Sequence, residues 1–264
     1  DVVLYYYTKV RGKIPMRKYD LITPEGTRDL LFDESVARRA AEDKLRRLFE
    51  NYGYSEVITP GIEFYDVFML KSRYFAQETM YKLSDGKGRL MVIRPDSTMP
   101  IARLAATRLK DEARPLKLFY SQNIFRINPK NSGRDDEITQ SGIEIIGGSV
   151  KKADMEVLNL AAEAIKTFET EDFRIEIGDG AFFKILISGL TDDEEEKEQI
   201  REYVENKNMP ELKNALEKYR PSERADILYE LPKLFGAAEV FEKAENIFKA
   251  EKLISALEDI KEAY

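Results

Sequence analysis

Two alternating runs with a charged stretch between them constrain this chain more than anything else in its sequence. Leu116 to Arg126 and Glu137 to Gly147 each read as a strand. Between them stands Asn128-Pro129-Lys130-Asn131-Ser132-Gly133-Arg134-Asp135-Asp136, dense in turn formers and charge. The pattern predicts an antiparallel hairpin with a long loop. Side chains alternate faces along a strand. Tyr120, Gln122, Ile124 and Arg126 therefore share one face of the first strand, and Ile138, Gln140, Gly142 and Glu144 share one face of the second. Ile143 and Ile145 point the other way, toward a core.

If the two polar faces coincide, one sheet surface carries Arg126, Gln140 and Glu144, with Gly142 leaving space between them. Charges on a sheet bounded by core residues are costly unless they are paired or bound. Two readings fit. One is a structural Arg126–Glu144 pair. The other is a pocket for a small zwitterion, in which a guanidinium and an amide hold a carboxylate and an anionic group holds a cation or a ring N–H. A second signal, Arg94-Pro95-Asp96-Ser97-Thr98-Met99-Pro100, lies where a strand passes into a helix. Asp96 and Thr98 can accept from an ammonium there, or they can simply serve the helix start. Spacing does not separate the two.

The remaining chain reads as follows. Asp33 is placed as an N-cap. Val36, Ala41, Leu45, Leu48, Phe49 and Tyr52 then recur at helical spacing, and Gly53 sits where a helix stops. Short strands are predicted over Ser55–Thr59 and Arg89–Ile93. Ser97 is expected to cap a helix running to about Lys110, with Ile101, Leu104, Ala105 and Leu109 inward. Met155 to Phe168 reads as a helix and Phe173 to Ile177 as a strand. From Ala181 onward helix follows helix, with breaks near Met209-Pro210, Arg220-Pro221 and Leu231-Pro232. The acidic run Asp192–Glu198 suits the positive end of a helix. A domain boundary is expected near Gly178–Gly180. Residues 1–15 read as an extension, although Val2 to Tyr7 has strand propensity.

Composition narrows the chemistry. The chain has 264 residues, with no Cys and no His. That removes disulfides, thiol nucleophiles, the usual neutral-pH general base and most transition-metal sites. With 42 basic against 49 acidic residues, net −7, a generally basic nucleic-acid face is not supported. No apolar run approaches the ~20 residues of a membrane span.

The motifs together resemble the histidyl-tRNA synthetase family. The resemblance rests on Thr23-Pro24-Glu25-Gly26-Thr27-Arg28-Asp29, Arg94-Pro95-Asp96-Ser97-Thr98, Asn123-Ile124-Phe125-Arg126 and Thr139-Gln140-Ser141-Gly142-Ile143-Glu144-Ile145-Ile146-Gly147, in that order. It implies an α+β fold of the class II synthetase type, a mostly antiparallel sheet flanked by helices. Residues 16–180 would be the core, with the dimerisation motif over about 33–60 and the second motif over 116–147. Residues 181–264 would be a helical inserted domain. The resemblance implies that Asp96 and Thr98 take the α-ammonium of histidine, that Arg126 and Gln140 address its carboxylate, and that Glu144 accepts from the imidazole N–H.

Departures from the synthetase pattern imply a branch. The synthetase carries Glu where Asp96 stands, His where Thr139 stands, and His-Glu where Ile127-Asn128 stand. Its third motif is not found after the helical stretch, so the C-terminal part of the core is expected to be missing. Asp96 with Met99-Pro100-Ile101-Ala102-Arg103 is similar to the ATP phosphoribosyltransferase regulatory-subunit family. That resemblance implies a cytoplasmic, non-catalytic subunit with no cofactor, no metal and no catalytic residue. Its partners would be the short catalytic phosphoribosyltransferase subunit and a second copy through 33–60, and histidine would be its effector. Neither a membrane nor tRNA is expected. The alternative is a histidyl-tRNA synthetase or a fragment of one.

Overall fold

A computed structural model describes residues 18–69, 77–129, 133–170 and 172–263. The extension expected over residues 1–15 lies outside the described residues. The chain divides into two compact units between Glu171 and Asp172.

The first unit is α+β. Its long helix α1 spans Phe32–Asn51. It starts one residue before Asp33, so Asp33 is not the N-cap; with Glu34 it lies in the first turn, where negative charge suits the helix dipole. Gly53 follows at φ +81°, a conformation that favours glycine, and ends the helix. Val36, placed inward by periodicity, is 67% exposed. Strands β1 (Ser55–Glu56), β2 (Ile62–Phe64), β3 (Lys82–Ser84) and β4 (Leu90–Ile93) follow, with the short helix α2 (Asp66–Met69) after β2. Helix α3 spans Thr98–Thr107, stopping short of Lys110, with Pro100 in its first turn. The hairpin strands are β5 (Leu116–Phe125) and β6 (Glu137–Ile146), and helix α4 covers Val150–Lys166.

Two three-stranded sheets result, ordered β1-β5-β6 and β2-β4-β3. Only the β1–β5 pairing is parallel; the other described pairings are antiparallel. Strand β5 is covered on both faces. On one side Phe119 joins Phe49, Tyr54 and Leu160, with Ile143 and Ile145 packed against them. On the other, Leu118 and Tyr120 join Ile101 of α3.

The second unit is helical, as the Pro-punctuated periodicity predicts. It comprises α5 (Ala181–Ile187), α6 (Glu194–Glu205), α7 (Met209–Glu217), α8 (Glu223–Glu230), α9 (Glu239–Ile247) and α10 (Glu251–Ala263). Leu186, Ile200, Leu212, Leu216 and Leu228 are fully buried at its centre. The acidic run begins α6: the Asp193 carboxylate accepts from the backbone N–H groups of Glu195 and Glu196. Phe173–Ile177 forms no strand. Its alternation suits β-structure, but an extended segment becomes a strand only where another edge pairs with it, and no described strand does.

Candidate functional site

The hairpin register brings the predicted polar faces together. Gln122 lies opposite Gln140, Tyr120 opposite Gly142, and Leu118 opposite Glu144. One sheet face therefore carries Tyr120 and Gln122 from β5 and Gln140, Gly142 and Glu144 from β6. Arg126 follows the end of β5. The turn from Arg94 into α3 supplies Asp96 and Thr98 beside this face.

The pairings differ from the structural pair considered for Arg126 and Glu144. The Arg126 Nε donates to the Pro95 carbonyl at 2.7 Å, and its Nη2 lies 3.9 Å from the Asp96 carboxylate. Glu144 instead accepts from the Thr98 hydroxyl at 2.7 Å. Burial pushes the Glu144 carboxyl above the usual carboxylate range; the nearby Asp96 charge adds to this, and the Thr98 hydrogen bond opposes it. The Tyr120 phenol is pushed up to about 12, by burial first and then by Glu144 and Asp96. It therefore stays protonated as a donor at neutral pH.

Asp96 has a structural duty as well. Its Oδ1 accepts from the Met99 N–H at 3.1 Å, which caps α3. Ser97 takes the N-cap position as predicted, and its carbonyl accepts from the Ile101 N–H at 3.1 Å, but its side chain does no capping: the fully buried residue's hydroxyl accepts from the Gln122 amide at 2.9 Å. Gly142 is also accounted for differently. A Cβ there would stand 2.6 Å from the Tyr120 hydroxyl, so the room it leaves is occupied by Tyr120. The Gln140 Oε1 is buried with no hydrogen-bond partner among the described residues. Such an acceptor is costly unless a donor reaches it.

Asn128 closes the neck of the hairpin loop. Its N–H donates to Asp136 Oδ1 at 2.9 Å and its side-chain amide to the Asp135 carbonyl at 2.9 Å. Tyr81 donates to the other Asp136 oxygen at 2.5 Å. Burial would raise the Asp136 pKa, but the Tyr81 and Asn128 donors outweigh it and hold the carboxyl below the usual range. A cleft of about 530 Å³ opens at the loop end of the hairpin, lined by residues that include Arg28, Glu34, Arg38, Asp135 and Thr139. It contains none of the five predicted site residues. Its guanidinium groups are compensated: Arg28 pairs with Glu34 and Asp135, and Arg38 with Glu42.

Sequence reasoning did not single out Tyr120 as the group over Gly142, nor Gln122 as a partner of the Asp96 turn. The signal was there. Gln122 shares its strand face with Tyr120 and Ile124, two large side chains that bury with it.

Burial of ionised Glu144 has a stability consequence. The folded chain holds that proton more tightly than the unfolded chain does. The group thus contributes stability at acid pH that is lost as pH rises through its raised folded value. Glu144→Gln removes the buried charge. It is expected to raise stability near neutral pH by about 0.5–2 kcal/mol and to flatten the decline from acid to neutral pH. Thermal melts between acid and neutral pH check this; a variant less stable than wild type at neutral pH contradicts it.

Comparison with known proteins places this geometry in a family. The histidyl-tRNA synthetase family model matches residues 26–264. A Clostridium acetobutylicum protein named ATP phosphoribosyltransferase regulatory subunit is 44% identical, over 95% of this chain and 62% of its own length. A Clostridium botulinum protein of the same name is 42% identical, over 94% of this chain and 60% of its own. The chain thus spans about three fifths of these relatives. A crystal structure from Bacillus halodurans, described as an ATP phosphoribosyltransferase regulatory subunit/histidyl-tRNA synthetase, superposes with a TM-score of 0.83 at 28% identity, covering 95% of this chain and 65% of that one. By sequence model and by fold alike, the chain belongs to the histidyl-tRNA synthetase family.

Proposed function

We propose that the chain is a histidine-sensing, non-catalytic regulatory subunit of ATP phosphoribosyltransferase, acting in the cytoplasm on the first step of histidine biosynthesis. Asp96, Thr98, Arg126, Gln140 and Glu144 would bind histidine. The short catalytic subunit would be its partner, and the subunit would support that partner's activity and its feedback inhibition. The observation that carries the pocket is the orphaned Gln140 Oε1, buried on the same sheet face as Glu144. A carbonyl oxygen asks for a donor, so Gln140 would take part of the α-ammonium together with Asp96 and Thr98. That revises the carboxylate role expected for Gln140 and leaves the carboxylate to Arg126. The names of the curated relatives support the regulatory role.

Asn128 supports the absence of adenylate chemistry. The position where the synthetase pattern carries an acid is an amide tied into the loop neck. Self-association through 33–60 is supported by exposed apolar side chains there, Val36 and Ile58 among them, which a second copy would cover.

Calorimetry with L-histidine on this chain, with magnesium-dependent histidine–pyrophosphate exchange run in parallel, tests the reading. Saturable binding without exchange is expected. Exchange above background would favour a synthetase instead. Absence of binding would remove the sensor role.

A further inference from the structure

A buried polar node lies beside the candidate pocket, on the same sheet face. Arg94, the residue after β4, is only 8% exposed. Its Nε donates to the Asn123 carbonyl at 2.6 Å, and its Nη1 donates to the Thr59 carbonyl at 2.7 Å and to Gln122 Oε1 at 2.8 Å. The Gln122 amide is used on both sides. Its Nε2 donates to the hydroxyls of Thr59 and Ser97, each at 2.9 Å, and its Oε1 also accepts the Thr59 N–H at 3.3 Å. Backbone bonds continue the lattice: the Arg94 N–H donates to the Gly61 carbonyl, and the Phe125 N–H to the Arg94 carbonyl, each at 3.0 Å.

The node grips the turn 94–97 at both ends, Arg94 at its start and Ser97 at its finish. Asp96 lies inside the grip and Thr98 immediately after it. Gln122 also lies directly opposite Gln140 on the hairpin. We propose that Arg94 and Gln122 are positioning residues of the pocket. They hold the turn bearing Asp96 and Thr98 in register with the hairpin face bearing Gln140, Glu144 and Arg126. The inference rests on the histidine-binding reading of that face. It adds a buried anchor to the site: two of its five groups belong to one element and three to another, and the node joins the two elements alongside the more exposed Thr98–Glu144 and Arg126–Pro95 contacts. A binding constellation needs its members held to about 0.5 Å.

Gln122→Leu keeps the approximate shape and leaves the Arg94 guanidinium and two hydroxyls without a shared partner. Gln122→Glu changes donors but preserves the lattice, because a carboxylate accepts from Arg94 and from the Thr59 and Ser97 hydroxyls, which can donate as well as accept. The experiment is L-histidine calorimetry on the full chain, with backbone amide exchange read across residues 97–101.

Gln122→Leu is expected to bind histidine about 10–100-fold more weakly and to exchange faster at 97–101. Gln122→Glu should stay within about threefold of wild type. Wild-type affinity in Gln122→Leu overturns the proposal, as does an equal loss in both variants. If wild type takes up no histidine, the sensor reading falls and the exchange readout alone decides: faster exchange confined to 97–101 in Gln122→Leu supports positioning, and unchanged or uniformly faster exchange overturns it. Should Gln122→Leu not fold, Arg94→Lys replaces it. A single ammonium cannot reproduce the planar fork, and the same loss and the same local exchange are expected. A wild-type result in both measurements overturns the proposal.

Discussion

Arg126→Ala is expected to weaken histidine binding by about 30-fold or more: the guanidinium, partly exposed in the free chain, would be covered by the ligand, and truncating one partner of a buried, hydrogen-bonded charge pair costs ~2–5 kcal/mol. The guanidinium stands between two demands. It already faces the Asp96 carboxylate and is oriented by the Pro95 carbonyl. A bound α-carboxylate would bring a third negative group beside Asp96 and Glu144. Removing the cation leaves those acids to repel the ligand they should receive. Arg126→Lys keeps the charge but loses the fork that serves the Pro95 carbonyl and a carboxylate together, so an intermediate loss is expected. Calorimetry with each variant checks both. If Arg126→Ala binds within about threefold of wild type, the face does not bind the ligand's carboxylate and the pocket assignment fails.

The largest effect on stability is expected from Phe119→Ala, about 3–5 kcal/mol. Phe119 is 1% exposed in the middle of β5. Its ring centroid lies 5.5 Å from that of Phe49 on α1, and the two pack with Tyr54 and Leu160. One truncation thus opens a void where helix α1, helix α4 and the hairpin meet. The surroundings cannot close it, because β5 is held by neighbouring strands on both sides. Denaturant titration of the chain, followed by the tyrosine signal, measures the cost. A loss under about 1 kcal/mol would mean that this interface repacks freely, contrary to a close-packed core.

Much of this was legible in the sequence, for local reasons. The hairpin announced itself because alternation and turn chemistry agree over Leu116–Gly147. The helical second unit did so because proline and apolar spacing agree. What was not legible depended on partners distant in sequence. Ser97 and Asp96 are adjacent residues of capping type, and although Ser97 takes the N-cap position as expected, nothing local says which of the two side chains bonds the first turn of α3. Gln122 decides it by claiming the Ser97 hydroxyl across the fold. Phe173–Ile177 has strand composition but no described edge to join. Val36 fits the helical period of α1 and still faces outward, since periodicity says which residues share a stripe and not where each end of the stripe lies. In the candidate site the residue types were legible and the pairings were not. Thr98 with Glu144 and Arg126 with Asp96 follow from how the α3 turn sits over the hairpin.

The double coverage of β5 bears on how a ligand would come and go. Its side chains alternate between two cores, Phe119 toward α1 and α4, Leu118 and Tyr120 toward α3. Peeling the hairpin open would disrupt both cores at once, so the wall carrying Gln140 and Glu144 belongs among the last parts of the first unit to give way. The opposite wall is a short turn whose start is held by backbone bonds at Arg94 and whose remainder, through Asp96 to Thr98, is held to the hairpin by side-chain hydrogen bonds. Entry and escape would therefore run past Asp96 and Thr98, and the lifetime of a bound amino acid would be set by how often that turn lets go.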